Sequence, residues 1–224
     1  MGRASGFVAV TPAVKQVLLR KGAWQPIEVI PYGTSAPGEV GRRTKNVPLR
    51  IAFVGRLTAE KGIGTLFDAI PLLKASVELI VVGRGPLADA VNAMAGTSKG
   101  VFSWIPGIHS GAVADFLRSI DVLVLPSVTT PTWAEQFGRV LVEAMSVGTV
   151  PVGSDSGEIP WVIGDAGLVF PEGRACELAR ALDTLASDTE RWELLSHRAR
   201  ERFERRFTWE GAAERVMNFY RRVL

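Results

Sequence analysis

A doubly wound parallel α/β sheet, preceded by a small strand–helix–strand unit, is the fold class this sequence predicts. Three observations carry that expectation. Short apolar runs closed by Gly, Pro or Ser alternate with helical segments from Leu49 onward, the rhythm of β-α-β units rather than of a sandwich or a bundle. The run IDVLVLPS, residues 120–127, is apolar without alternation, as in a strand buried on both faces of a parallel sheet. Residues 34–48, TSAPGEVGRRTKNVP, are rich in Gly, Pro and polar side chains and divide the chain as a linker would.

The elements follow in order. GFVAVTPAVKQVLLRKGAWQPIEVIPYG reads as strand, helix, strand. Thr11 caps the helix with Pro12 at its first position, and Lys21-Gly22 ends it. One such unit is too small to bury a sheet of its own, so residues 1–35 read as the remnant of one domain attached to all of a second. After the linker come strand RIAFVG, a helix near 61–74, strand VELIVVG, a helix near 86–95, strand VFSWI and a helix near 110–119. The 120–127 strand then hands over to a helix expected from Gln136 to Gly148, with Val140, Leu141, Ala144, Met145 and Val147 facing inward. TVPVGS and residues 167–170 supply two more strands, and helices follow near 174–187, 188–206 and 208–224. Trp209, Val216, Phe219 and Tyr220 give the last helix an apolar side that needs a partner.

Composition excludes several classes of function. At 224 residues, 47% hydrophobic and 22% charged, the chain has the make-up of a globular protein. A single cysteine, Cys176, rules out an internal disulfide framework and fits a reducing, cytoplasmic setting. His109 and His197 with one cysteine do not make a zinc site. No run reaches the length of a membrane span. The net charge of +3 is unevenly spread: residues 1–50 hold eight Lys/Arg against two acids, and residues 188–224 nine Arg against seven acids, which leaves the middle of the chain at −5. An acidic central domain is a poor nucleic-acid surface.

The segment EQFGRVLVE places Glu135 and Glu143 eight residues apart at a junction between a buried strand and a helix. On a helix that spacing spans about 12 Å, a length suited to an extended, polyhydroxylated ligand. Phe137, Gly138 and Arg139 are expected in the first turn, where free N–H groups and the helix dipole favour an anion. Strand RIAFVG ends in Gly55-Arg56, with Lys61 five residues on at a helix start; a guanidinium fork and an ammonium there suit a diphosphate.

Other candidates are weaker. Gly83, Gly85 and Ala88 satisfy G-x-G-x-x-A, but no acid stands about 20 residues on, where a dinucleotide's ribose would need it. A tight turn needing glycine is the better account. His109 has no triad partner nearby and reads as a solvated loop histidine. Ser127, Ser154 and Ser156 lie at strand ends without a G-x-S-x-G elbow, and no P-loop is present. The Arg-rich stretch 198–222 interleaves with Glu as a salt-bridged, solvated helix face does.

In order along the chain, IEVIPYG, FVGRLTAEKG, LIVVGRGP, VLVLPS, EQFGRVLVEAMSVGTVPVGSDSGEIP and GDAGLVFPEG resemble the C-terminal, donor-binding half of retaining GT-B glycosyltransferases of the glycosyl transferases group 1 type (family 4). The likeness covers nearly all of residues 25–220. It implies a Rossmann-like domain over residues 49–206, a linker over 36–48, an N-terminal-domain remnant over 1–35 and a closing helix over 207–224 that packs back toward the N-terminal domain. It implies a nucleoside-diphosphate sugar as donor, with Arg56 and Lys61 on the diphosphate. It places Glu135 on the hydroxyls of the transferred sugar and Glu143 on the ribose. Gly55 and the backbone of Phe137, Gly138 and Arg139 would meet phosphate and sugar oxygens. The base would lie near residues 104–109, against Ile108. No metal or cofactor is implied.

The family often has asparagine at Tyr32 and a second glycine and a glutamate at Glu158 and Trp161, so sugar and acceptor preference stay open. An acceptor, whether glycan, lipid or small molecule, would need the rest of the N-terminal domain, as would any membrane association. A fragment without that domain is expected to bind donor but transfer no sugar. A GT-B sugar-nucleotide epimerase or phosphorylase would share such a phosphate site, but no lysine setting for pyridoxal phosphate is apparent. A non-catalytic scaffolding module of the same origin is the alternative from another class.

Overall fold

The computed structural model describes residues 4–35, 38, 41, 43–97 and 102–224. Six strands form one parallel sheet: β3 (Leu49–Val54), β4 (Val77–Val82), β5 (Phe102–Ile105), β6 (Val122–Leu125), β7 (Val150–Ser154) and β8 (Leu168–Phe170). Their order is β5-β4-β3-β6-β7-β8, so the direction of strand addition reverses between β3 and β6. Ahead of them, β1 (Phe7–Ala9) and β2 (Ile27–Val29) form a two-stranded parallel sheet joined through α1 (Pro12–Arg20).

Period-two alternation explains why the strands read as unbroken apolar runs. Ile51, Phe53, Leu79, Val81, Val122 and Val124 face one layer, with Leu66 of α2 (Ile63–Ala69), Val91 of α3 (Ala88–Thr97) and Leu178 and Leu182 of α7 (Ala175–Ser187). Ala52, Ile80, Val82, Leu123 and Leu125 face the other, with Leu117 of α4 (Val113–Ser119), Leu141 and Met145 of α5 (Arg139–Ser146) and Val162 of α6 (Ile159–Ile163). Both faces are covered, as a parallel sheet requires. Helix α8 (Thr189–Arg206) gives Trp192 to the first core and Phe203 to the second.

The segment that the sequence suggests as a linker is not a free tether where it is described. Arg43 donates to the carbonyls of Val147, Arg118 and Ile120 and to the Thr149 hydroxyl. Lys45 Nζ donates to the carbonyls of Leu185 and Ala186 at 3.1 and 2.8 Å. Asn46 donates through its backbone and its amide to Asp121, each at 3.0 Å, and the Arg50 N–H joins them at 2.8 Å. Fully buried Asp121 therefore ties the approach to β3 to the start of β6. Positions 36, 37, 39, 40 and 42 of the predicted linker, and Val101 of the predicted strand VFSWI, lie outside the described residues.

Most elements fall where the sequence puts them, and three departures have physical causes. The helix expected from Gln136 begins at Arg139, because Gly138 stands in the left-handed region at φ 69° as its N-cap. Helix α6 was not expected at all; five residues opened by Glu158 and a proline are too few to show helical periodicity. In α9 (Trp209–Val223) the buried side is Ala212 and Phe219, with Val216 and Val223 packed beside them against Ile30. Trp209 and Tyr220, expected on that side, are about half exposed. The Arg-rich face is salt-bridged in part, through Arg200–Glu204 at 2.6 Å. Arg202 instead turns inward, donating to the carbonyls of Val162 and Trp161 at the end of α6.

Candidate functional site

The site grows from the point where strand order reverses, the place at which open α/β sheets present a crevice. Beyond β3 the chain passes through Gly55-Arg56 into a 3-10 turn, Ala59–Lys61, closed by Gly62. That turn is pressed onto the exit of β6. A Cβ on Gly62, at φ +70°, would lie 1.8 Å from the Pro126 carbonyl oxygen, so only glycine permits the approach. The Val128 N–H then donates to the Glu60 carbonyl at 2.9 Å.

Held this way, Lys61 Nζ reaches Glu135 Oε2 at 2.7 Å and lies 5.0 Å from the centroid of the Trp133 ring. The Ser127 hydroxyl donates to the same carboxylate oxygen at 3.0 Å. Glu135 is 8% exposed and Ser127 fully buried. Removing either charge would leave the other inside the protein unpaired, at a cost of about 3–5 kcal/mol. The backbone of Glu135 is fixed independently: its carbonyl accepts from the Glu158 N–H at 2.9 Å. Gly157, at φ +55°, sits so close that a Cβ there would lie 2.1 Å from that carbonyl.

Because α5 starts at Arg139, Glu135 and Gln136 belong to the loop before it. The helical ruler of about 12 Å between the two glutamates therefore does not apply, and of the expected first turn only Arg139 is helical. Glu143 is on the helix and pairs with Arg139 at 3.0 Å. Burial pushes its carboxyl above the ordinary value, and Arg139 pulls it partly back. Phe137 is buried and meets two rings edge-on, Tyr32 at 5.5 Å and Phe207 at 6.0 Å between centroids. A cleft of about 300 Å³ opens here, lined by residues that include Tyr32, Glu135, Gly138, Arg139 and Trp209.

The remaining candidates are spread around this centre. Arg56 is 67% exposed at the end of β3, with Glu60 at 3.9 Å. The Glu60 carboxyl lies below its ordinary value, chiefly through its own backbone N–H and then the Thr58 hydroxyl. Gly55 abuts Gly83, whose Cβ would fall 1.8 Å from the Gly55 carbonyl oxygen, and Leu57 donates to the Arg84 carbonyl at 2.8 Å. Close backbone approach thus accounts for the G-x-G pair. Ile108 packs against the second core. His109 is exposed and its Nδ1 accepts from the Gly111 N–H at 3.1 Å; it caps a turn. Among the described residues no cluster of three or more His, Cys, Asp or Glu could hold a metal, and no helix is long and apolar enough to cross a membrane.

Sequence reasoning brought Lys61 and Glu135 to one place but missed what surrounds them. In the sequence Ser127 stands out only as a candidate nucleophile. Trp133 passed unnoticed, though its place two residues before Glu135 was the available signal.

A family model described as glycosyl transferases group 1 matches residues 48–188. The chain is 32% identical over 216 residues to alpha-maltose-1-phosphate synthase of Mycolicibacterium smegmatis, covering 89% of this chain and 54% of that protein. It is 34% identical over 179 residues to phosphatidyl-myo-inositol mannosyltransferase of the same organism, covering 77% and 45%. The chain thus spans about half the length of the curated relatives it matches. Among solved structures it resembles sucrose-phosphate synthase of Thermosynechococcus elongatus, with a TM-score of 0.77, 23% identity and coverage of 98% of this chain and 58% of that one. HepE of Anabaena in complex with UDP and glucose gives a TM-score of 0.78 at 21% identity, over 97% and 63%. The reversal of strand order, the Lys61–Glu135 pair at its crevice and the family match over most of the sheet converge: the chain belongs to the glycosyl transferases group 1 family.

Proposed function

We propose that this chain is the donor-binding part of a retaining, nucleotide-sugar-dependent hexosyltransferase. Its residues 1–35 would belong to the acceptor-side domain, residues 36–48 to the linker and residues 207–224 to the closing helix. The observation that carries the reading is the buried Lys61–Glu135 pair, 2.7 Å long, at the carboxyl ends of β3 and β6. An ammonium has three donors; one is committed to Glu135 and others serve a phosphate oxygen. Arg56, on the same turn and largely exposed, supplies a fork for a second. Both cations stabilise the negative charge that grows on the diphosphate as the bond from its oxygen to the anomeric carbon breaks.

Glu135 accepts from hydroxyls of the transferred sugar, and Glu143 from those of the ribose. N–H groups at the start of α5, near Phe137, Gly138 and Arg139, face phosphate or sugar oxygens, with Gly55 beneath and Ile108 toward the base. HepE, a structural neighbour, was solved with UDP and glucose, which supports a donor of this kind. The donor is a substrate, and no resident cofactor or metal is invoked. Without an acceptor-side domain the chain alone transfers no sugar.

Calorimetry with UDP, GDP and ADP tests this. One of them gives a binding heat, abolished in Lys61→Ala and Glu143→Ala. Silence of all three at millimolar ligand overturns the reading in favour of a scaffolding module, and transfer by the isolated chain overturns its inactivity.

A further inference from the structure

Glu158 stands where β7 hands over to α6, and two of its groups point in different directions. Its amide donates to the carbonyl of Glu135 at 2.9 Å. Its carboxylate Oε1 accepts from the Ala13 N–H at 2.6 Å, across 145 positions of sequence. The side chain belongs to a residue only 8% exposed, so the carboxylate is largely shielded from water where it makes this contact.

Helix α1 needs that contact. Its Pro12 has no N–H, and the Thr11 hydroxyl accepts from Val14 at a long 3.4 Å, which leaves Ala13 without help from its own cap. Glu158 fills the gap and sets a negative charge on the positive end of the helix dipole. Besides the packing of Ile30 against α9, the strand–helix–strand unit is seated beside the site itself. The Tyr32 ring lies edge-on against Phe137 at 5.5 Å. The Thr34 N–H donates to the Phe207 carbonyl at 2.8 Å.

We propose that Glu158 is a positioning residue that couples the seating of α1 to the orientation of Glu135. The inference rests on the donor-site reading of Glu135 given above. With α1 in place the carboxylate is paired, the 157–158 backbone is held, and the Glu135 carbonyl is held in turn. With α1 displaced the buried carboxylate is unpaired, and the backbone that must move to expose it carries the Glu135 carbonyl along. The diphosphate side differs. The backbone that carries Arg56 and Lys61 is a separate segment, fixed through Gly62 and the Val128–Glu60 bond, and it meets Glu135 through the Lys61 side chain. Glu158 therefore governs the hold on the sugar more than the hold on the diphosphate.

The test is to titrate a nucleoside diphosphate and its hexose conjugate into wild type, Glu158→Gln and Glu158→Ala, and to follow amide exchange at Ala13. Gln keeps an acceptor oxygen and stays close to wild type on both ligands. In Glu158→Ala the affinity for the conjugate falls about tenfold, that for the bare diphosphate falls by less, and Ala13 exchanges faster. Should the Ala variant not fold, Glu158→Met, of similar volume and without an oxygen, makes the same comparison. Equal loss on both ligands, or none on either, overturns the proposal and leaves a purely structural bond. Wild type that binds neither ligand overturns the donor-site reading along with it, so the two failures are told apart by the wild-type titration.

Discussion

Replacing Gly62 by alanine strikes the joint that brings Lys61 to Glu135. The new Cβ would fall 1.8 Å from the Pro126 oxygen, whereas real Cβ atoms essentially never come within 3.0 Å of a neighbour, so the turn and the end of β6 must part by about 1.2 Å. Three costs add. An alanine in the left-handed region costs about 1 kcal/mol or somewhat more, overpacking against a backbone atom about 1–3 kcal/mol, and loss of the Val128–Glu60 bond about 1 kcal/mol. The sum is about 3–5 kcal/mol. With a urea dependence of about 2–3 kcal/mol/M, the unfolding midpoint falls by about 1–2.5 M. Gly173 provides the internal control, since it has a similar φ of +72° but nothing within 4 Å of an added Cβ. Gly173→Ala bears only the first cost, about 1 kcal/mol. Urea titrations of the two variants isolate the contact term. If Gly62→Ala unfolds within about 0.5 kcal/mol of Gly173→Ala, the close approach does not hold the turn, and the account of how Lys61 is placed fails.

Three further outcomes follow from the same geometry. Lys61→Ala and Glu135→Ala each cost about 3 kcal/mol by stranding a buried charge, and the double variant costs less than their sum by about 1–3 kcal/mol; additivity in a denaturant cycle would show the pair to be uncoupled. Arg43→Met loses its donors to the carbonyls of Val147, Arg118 and Ile120 and destabilises by about 2–4 kcal/mol, while nucleotide affinity measured by calorimetry stays at the wild-type value. The third concerns Glu143, whose carboxyl is raised by burial. The folded state holds that proton more tightly than the unfolded chain, so the group's contribution is favourable at low pH and is lost as pH rises through the raised value. Glu143→Gln therefore melts above wild type at neutral pH, the gap closing as pH drops below the ordinary carboxylate range. The same variant weakens nucleotide binding about tenfold. A gap in melting temperature that is constant with pH would contradict this.

The sheet was legible because its signal is local and repeated. Each strand buried on both faces appears as an apolar run, and Thr11-Pro12 and Lys21-Gly22 announced α1 through capping chemistry that needs no tertiary partner. The start of α5 was not legible in the same way. Phe137 and Val140 look like an inner helical face extended backward, whereas Phe137 is buried through Tyr32 and Phe207, residues about 100 and 70 positions away. The pairing of Lys61 with Glu135 spans 74 positions; motif order put both residues at one site, on different parts of the ligand, and gave no sign of the bond between them. Its surroundings, Ser127 and Trp133, depend on how the loop after β6 folds back, with Thr130 and Trp133 bonded to each other, and no periodicity encodes that. The closeness that demands glycine at 62 and 157 is likewise a property of two backbones, and a glycine in sequence names only one of them.

The network around Asp121 has a consequence for how such a protein can change. Asn46 and Arg50 both donate to Asp121 at the amino ends of β3 and β6, and the crevice lies at the opposite ends of the same strands. Much of the polar anchoring of the sheet is thus remote from the loops that would meet a ligand. Variation at 129–134 and 136 can be sampled while that anchor keeps the chain folded, whereas the same freedom at 43–50 and 121 would be purged before any new specificity could be tried. A library built on this chain would diversify one rim of the sheet and leave the other untouched.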